Sequence, residues 1–253
     1  MNLRWPAEAI WEAVAPTLPG FTVEVLPEVD STNTELMRRA RAGQLEPVLL
    51  VAERQLAGRG RLGRQWRGGD APGDVLMFSL GLPLRMADWS GLSLAVGVSV
   101  AQSLHPDLRL KWPNDLWWQD RKLAGILIET TQLGDIRYAV IGIGINITPR
   151  EAAGLATAPA WLQELAPGLD APEALGRVLP ALVRDLQRFE AAGWPPFAPA
   201  FAARDVLAGR EVVLSDGTAG RAAGVDASGA LLVHTPAGLR HVSSAEVSVR
   251  PTS

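Results

Sequence analysis

Apolar positions recur along this chain with two different periods, and the switches between them outline its elements. Ile10, Trp11, Val14 and Leu18 share one side of a helical wheel, which predicts a short helix over residues 6–18. Residues 22–29 alternate as a strand does. Thr32 and Glu35 have the spacing of a capping box, so a helix is predicted from there to Gly43. Residues 48–52 and 76–82 are compact apolar runs, predicted as strands. Residues 89–104 are apolar on every side and are predicted as a buried helix. Strands over residues 108–112, 116–118 and 123–131 follow, with Gln119-Asp120-Arg121-Lys122 turning between the last two. Residues 138–147 complete the strand-rich middle.

The second half changes texture twice. Leu175, Val178, Leu179, Leu182, Val183, Leu186 and Phe189 recur every three or four residues, predicting a helix over residues 172–191. A shorter helix is predicted after Pro195 and Pro196. The Ala/Pro-rich stretch over residues 154–172 reads as a mobile loop. Beyond Leu207, short β-prone runs are divided by Ser215-Asp216-Gly217, Ser228-Gly229 and Pro236-Ala237-Gly238, the pattern of a small β-barrel or sandwich of about five strands. The expected organisation is an α/β core over residues 1–206 with a mixed sheet and flanking helices, and a β domain over residues 207–253.

Composition removes several kinds of chemistry. The chain has no cysteine, so thiol catalysis, disulfides and thiolate metal sites are excluded together. His105, His234 and His241 are scattered and make no metal-ligand spacing. The net charge of −3 argues against a general binder of nucleic acid or anionic membranes. There is no basic segment followed by an apolar core at the N-terminus. The longest uncharged stretch, residues 89–104, falls short of the roughly 20 residues of a membrane helix. A cytoplasmic protein is expected.

Against that acidic background, Gly58-Arg59-Gly60-Arg61-Leu62-Gly63-Arg64-Gln65-Trp66 is strongly basic. Its glycines reach positive φ cheaply and can turn N–H groups toward an anion, and its guanidinium groups fit carboxylate or phosphate oxygens. A solvated basic loop and a nucleic-acid patch are the competing readings. Ser31-Thr32-Asn33 offers hydroxyls at a helix start, for capping or for a polar ligand. In Lys111-Trp112-Pro113-Asn114-Asp115 the proline stiffens a strand end, while Asn114 and Asp115 offer oxygens that suit Mg²⁺; an Asn-Asp turn is the alternative. Arg121-Lys122-Leu123-Ala124-Gly125-Ile126-Leu127-Ile128-Glu129 places a lysine before a strand with a glycine near its start. Ile141-Gly142-Ile143-Gly144-Ile145-Asn146 thins a strand so that a flat ligand can lie on it. Many cations, one metal-type carboxylate and no obvious nucleophile suit the joining of two anionic small molecules.

These ordered motifs, with Gln55 between the first and the loop, resemble those of the biotin–protein ligases, the biotin–[acetyl-CoA-carboxylase] ligases, over nearly the whole chain. The resemblance implies a class II synthetase-like catalytic domain followed by an SH3-like barrel. It implies biotin and ATP as substrates with Mg²⁺, a biotinyl-5′-AMP intermediate, and transfer to a lysine of a biotin carboxyl carrier protein. By motif, Ser31, Thr32, Asn33, Gln55, Gly58, Arg59, Lys122, Gly125 and Gly142 would surround biotin. Arg61, Arg64, Trp66, Lys111, Asn114, Asn146 and Trp161 would serve ATP and the adenylate, with Trp161 stacked on adenine. Arg61, Lys111, Lys122 and Asp115 would be catalytic, and Asp115 would also meet the metal. Too little chain precedes Ser31 for the helix-turn-helix that repressor members carry, so no nucleic-acid partner and no repressor role are expected. No membrane partner is expected either, and the oligomeric state stays open between monomer and homodimer. A lipoate–protein ligase and a non-catalytic biotin or nucleotide sensor are the alternative functions.

Overall fold

The structure, a computed structural model, describes residues 3–86, 88–150, 157–243 and 249–251. Seven strands form the first sheet: β1 (Thr22–Val29), β2 (Val48–Gln55), β3 (Val75–Pro83), β4 (Arg109–Lys111), β5 (Asp115–Trp118), β6 (Arg121–Leu133) and β7 (Ile136–Asn146). Their order is β1-β2-β3-β7-β6-β5-β4. β1 and β2 are parallel and the other pairs antiparallel. Helix α2 (Thr32–Arg41) supplies the crossover that the parallel pair needs.

Alternation along the strands decides which side chains meet which layer. Leu49, Val51, Leu76, Leu80, Ile141, Ile143 and Ile145 point to one face, where α1 (Ala7–Val14), α3 (Leu92–Leu104) and α5 (Ala171–Ala192) cover them. Each such side chain contributes about 1.5–3 kcal/mol when fully buried. On the other face α2 packs Leu36, Met37 and Ala40 against Leu50, Tyr138 and Val140. Farther along β7 on that same face stand Gly142, Gly144 and Asn146, so the Ile-Gly alternation puts bulk in the core and leaves room opposite it.

The remaining helices are α4 (Leu162–Leu165) and α6 (Ala198–Ala202). After α6 the chain runs along the free edge of β4: Leu110 N–H donates to Arg204 O at 2.9 Å and Val206 N–H donates to Leu110 O at 3.0 Å. Strands β8 (Glu211–Leu214), β9 (Ala219–Val225), β10 (Leu231–Thr235), β11 (Gly238–Val242) and β12 (Val249–Pro251) form a second antiparallel sheet, ordered β11-β10-β9-β8-β12. Among the described residues no helix is long and apolar enough to cross a membrane.

Several expectations are corrected. Helix α1 stops at Val14, because Pro16 cannot continue it. The cap of α2 is Ser31, whose Oγ accepts from Thr34 N–H at 3.4 Å; Glu35 pairs instead with Arg38 and Arg39. Helix α3 starts at Leu92, after Gly91 and three residues later than the start of its apolar run. The turn before β6 is only Gln119-Asp120, both at positive φ, as a two-residue hairpin requires. Of the Ala/Pro-rich stretch, residues 154–156 lie outside the described residues. Ala158 and Ala160 are pinned rather than loose, since Lys122 N–H donates to Ala158 O at 2.9 Å and Ala160 N–H to Lys122 O at 2.8 Å.

Candidate active site

The glycine-arginine segment is a miniature hairpin folded over the open face of the sheet. Trp66 N–H donates to Gly58 O at 2.9 Å and Gly60 N–H to Arg64 O at 2.7 Å, with Arg61–Gly63 as the tip. Only one of its glycines, Gly63, uses the positive φ expected of them. Gly58 and Gly60 avoid positive φ; within the loop only Leu62 and Gly63 adopt it. Gly58 is needed because a Cβ there would overlap the Trp66 carbonyl. Arg61 reaches across to donate to Asn114 Oδ1 at 3.2 Å, which ties the tip to the far side of the site.

Beneath the loop lies a cavity of about 400 Å³. One end is lined by neutral hydrogen-bonding side chains, with an Arg59–Glu129 ion pair at its margin. Gln55 Oε1 accepts from the Thr32 N–H at 2.7 Å and from Thr32 Oγ1 at 3.2 Å. Ser79 Oγ, fully buried on β3, lies 2.7 Å from both Thr32 Oγ1 and Asn33 Oδ1. Asn33 Nδ2 donates to Leu127 O at 3.2 Å and to Glu129 Oε2 at 3.1 Å, and Arg59 pairs with Glu129 at 3.0 Å. Sequence reasoning missed Ser79 and the role of Glu129. The signal available was a hydroxyl and a carboxylate standing inside otherwise apolar strands.

The other end is cationic. Arg61, Arg64, Arg67, Lys111, Lys122 and Arg150 line it, against Asp115 as the one carboxylate among the described walls of the cavity. Lys122 Nζ is 2.6 Å from Asp115 Oδ1. Burial holds the Lys111 ammonium below the usual lysine range; Asp115 opposes this, and Lys122, Arg64 and Arg61 add to it. Arg61 is likewise lowered by burial, with Asp115 opposing and Arg64 adding. Lys111 and Lys122 are the only two lysines in the 253-residue sequence, and both are here. Arg150, not foreseen, donates to Asn146 Oδ1 at 2.6 Å and to Arg67 O at 3.1 Å.

Two of the thin places on the strands are filled by the protein itself. A Cβ on Gly142 would overlap the Asn33 side chain, and one on Gly144 the Trp66 indole. Trp66 sits there with Lys122 Nζ 5.5 Å from its ring centre and its buried Nε1 without an acceptor among the described residues. A Cβ on Gly125 would stand 3.1 Å from Lys122 Nζ and 3.2 Å from Trp66 Cζ3. Ser31, Asn114, Gly125, Gly142 and Asn146 also line the cavity, but Gly58 and Trp161 do not. Trp161 packs instead on Arg121, which is sandwiched between it and Trp118 at 5.5 and 5.2 Å. Among the described residues no cluster of three His, Cys, Asp or Glu could hold a metal by itself. Asp115 and Asn114 carry oxygens of the kind a divalent ion takes beside phosphate oxygens, but here Asn114 Oδ1 accepts from Arg61 and Asp115 Oδ1 faces Lys122 Nζ.

A model of the Biotin/lipoate A/B protein ligase family matches residues 25–146, the span from β1 to the end of β7, and one of the Biotin protein ligase C terminal domain matches residues 209–250. Fold and cavity thus place the protein among the ligases of this class. It is 36% identical over 244 residues to the bifunctional ligase/repressor BirA of Escherichia coli K12, covering 92% of this chain and 75% of that protein. It is 33% identical over 237 residues to the biotin–[acetyl-CoA-carboxylase] ligase of Paracoccus denitrificans, covering 88% and 98%. A solved biotin protein ligase from Aquifex aeolicus, in complex with biotin and ATP, superimposes with a TM-score of 0.76 at 31% identity, covering 91% of this chain and 99% of that one. The chain belongs to the biotin protein ligase family and is an enzyme of that kind.

Proposed function

We propose that the protein attaches biotin to a lysine of a biotin carboxyl carrier protein in two steps. In the first, a biotin carboxylate oxygen attacks the α-phosphorus of ATP, forming biotinyl-5′-AMP and expelling pyrophosphate. In the second, the acceptor's ε-amine attacks the acyl carbon, the new amide loses a proton, and AMP leaves. The observation that carries this reading is the polarity of the cavity: a hydrogen-bonding end, where the Arg59 charge is paired with Glu129, joined to one with six basic side chains and a single carboxylate.

In this reading Thr32, Asn33 and Gln55, with Ser31 beside them, hold the ureido ring of biotin. Gly125 and Gly142 keep the adjoining strands thin, and Arg59 guards that end. Arg61, Arg64, Lys111 and Lys122 draw the carboxylate and the α-phosphate together and stabilise the charge that builds up between them. Asn114 and Asn146 fix the hairpin and the end of β7 around the nucleotide, and Trp66 covers the reacting atoms and keeps water out. Mg²⁺, when bound, neutralises phosphate charge, with Asp115 the side chain in reach. The adenine role that resemblance assigns to Trp161 finds no support in the cavity walls. Residues 1–206 form the catalytic domain and residues 207–253 the C-terminal domain.

The test is pyrophosphate release from biotin, ATP and Mg²⁺, followed by addition of a biotin carrier domain. Release with biotin, and then biotin bound to the carrier lysine, is expected. Release with lipoate in place of biotin would mark a lipoate ligase. Binding of both ligands without pyrophosphate would mark a sensor.

A further inference from the structure

The hairpin of β4 and β5 carries Lys111, Asn114 and Asp115 into the cavity, yet β4 is only three residues long. So short an edge strand has little ladder of its own to hold its end in place. Three attachments reach it from beyond residue 202. The linker pairs with Leu110 through the backbone of Arg204 and Val206. Arg210 pairs with Asp120 at 2.6 Å in the turn after β5. The third lies deepest: Trp112, fully buried, donates its indole N–H to the Gly229 carbonyl at 3.0 Å.

Gly229 is held for this contact by its own turn. Asp226 Oδ1 accepts from Ser228 N–H at 2.8 Å, the Ser228 hydroxyl at 2.7 Å and Ala230 N–H at 3.0 Å. Its other oxygen lies 2.7 Å from His241 Nδ1. Gly229 sits at φ +80°, and a Cβ there would stand 3.0 Å from Gly91 Cα and 3.2 Å from Leu94 Cδ1. The turn is thus wedged between the start of α3 and Trp112.

We infer that Trp112 and Gly229 are positioning residues: their hydrogen bond, braced by the Asp226 turn, sets where Lys111, Asn114 and Asp115 stand at the phosphate end of the cavity. The C-terminal sheet then takes part in the first chemical step through the hairpin it holds. This rests on the adenylation reading above.

Two variants remove the pin in different ways. Gly229→Ala strains the turn and drives it against Gly91. Trp112→Phe keeps an aromatic ring and removes the N–H. Gly217→Ala is the control, because Gly217 sits at φ +86° in the β8–β9 turn with open space around it. It imposes the same kind of backbone strain in the same sheet, away from the hairpin. Pyrophosphate release, biotin dissociation constant and Tm are measured on the full chain. Both test variants should slow pyrophosphate release about ten- to a hundredfold, as a displacement near 1 Å does. Biotin affinity should hold, and the control should keep the wild-type rate. Wild-type rates in both test variants would overturn the inference. So would a loss that the control shares, or one that takes biotin affinity with it. No pyrophosphate from the wild-type chain would overturn the adenylation reading itself, and this inference with it.

Discussion

Lys122 Nζ and Asp115 Oδ1 stand 2.6 Å apart across the paired strands β5 and β6, so the ammonium group that faces the cavity comes with its counter-charge attached. The pair gives Asp115 a task that its sequence motif did not suggest, since that motif matches the carboxylate to a metal. Asp115→Asn keeps the shape and removes the charge. The contact is an ion pair, since Asp115 Oδ1 accepts no hydrogen bond among the described residues. Losing the position that the pair gives Lys122 should lower pyrophosphate release roughly tenfold or more. If Asp115 acts by orienting Lys122, the Mg²⁺ concentration for half-maximal rate will not move. A shift in that concentration would return the residue to the metal.

The biotin end should be sensitive to one methyl group. A Cβ on Gly142 overlaps Asn33 Oδ1, the atom that Ser79 Oγ approaches at 2.7 Å. Gly142→Ala should therefore push Asn33 away from Ser79, Leu127 and Glu129 together. Overpacking of this kind costs about 1–3 kcal/mol, a fall in Tm of roughly 2–12 °C for a chain of this size. Biotin affinity should drop while the KM for ATP changes little. Thermal melts with calorimetric biotin titration check both, and an unchanged biotin affinity would detach this network from the ligand.

How far this site could be read from the sequence depends on how each residue signals. Motifs placed Lys111, Lys122, Arg61 and Gly142 in one cavity because local order survives folding: a strand end, a hairpin and a loop each keep their neighbours. The alternation of Ile and Gly in β7 was equally legible, although what fills the space was not. Asn33 and Trp66 come from elements 109 and 78 residues before Gly142 and Gly144, and no local pattern reports such a meeting. Ser79 and Glu129 were missed for a related reason. A lone polar residue in a strand looks alike whether it faces water or a buried partner. The capping box failed by one residue, because Ser31 and Thr32 are both competent caps and Gln55, far off in sequence, takes up Thr32.

Arg150 should matter for ATP. It joins Asn146 at the end of β7 to the carbonyl of Arg67 at the base of the loop, and its guanidinium lines the cavity. Burial lowers its pKa, the neighbouring Arg67 adds to this and Asp70 opposes it. Arg150→Gln removes the charge and unties the loop from β7. The KM for ATP should rise about tenfold, the size expected for one charge-assisted contact. Biotin binding without nucleotide should stay near wild type. Initial-rate kinetics at varied ATP decide the matter, and an unaltered KM would leave Arg150 as a structural tie alone.

The alkaline behaviour of Lys111 should have opposite signs for stability and for activity. Burial lowers its pKa from the ordinary 10.5, so the folded chain gives up this proton at a lower pH than the unfolded chain does. Between the two values the unfolded state binds more protons, and stability rises with pH across that window. Phosphate binding needs the charge, so it weakens as pH rises through the lowered value. Pyrophosphate release should therefore decline on the alkaline side before an exposed lysine would titrate, while this lysine's contribution to Tm increases. Lys111→Gln removes a partly desolvated charge. Tm at neutral pH should then rise, and the rate should fall roughly 10²–10³-fold. Because the chain's two lysines both line the cavity, isotope-labelled lysine gives an NMR spectrum in which every side-chain ammonium signal belongs to the site. The resonance that Lys111→Gln deletes should titrate below the usual lysine range. A Lys111 signal that titrates at the ordinary value, or a variant less stable than wild type, would show that its charge is held at no cost to the fold.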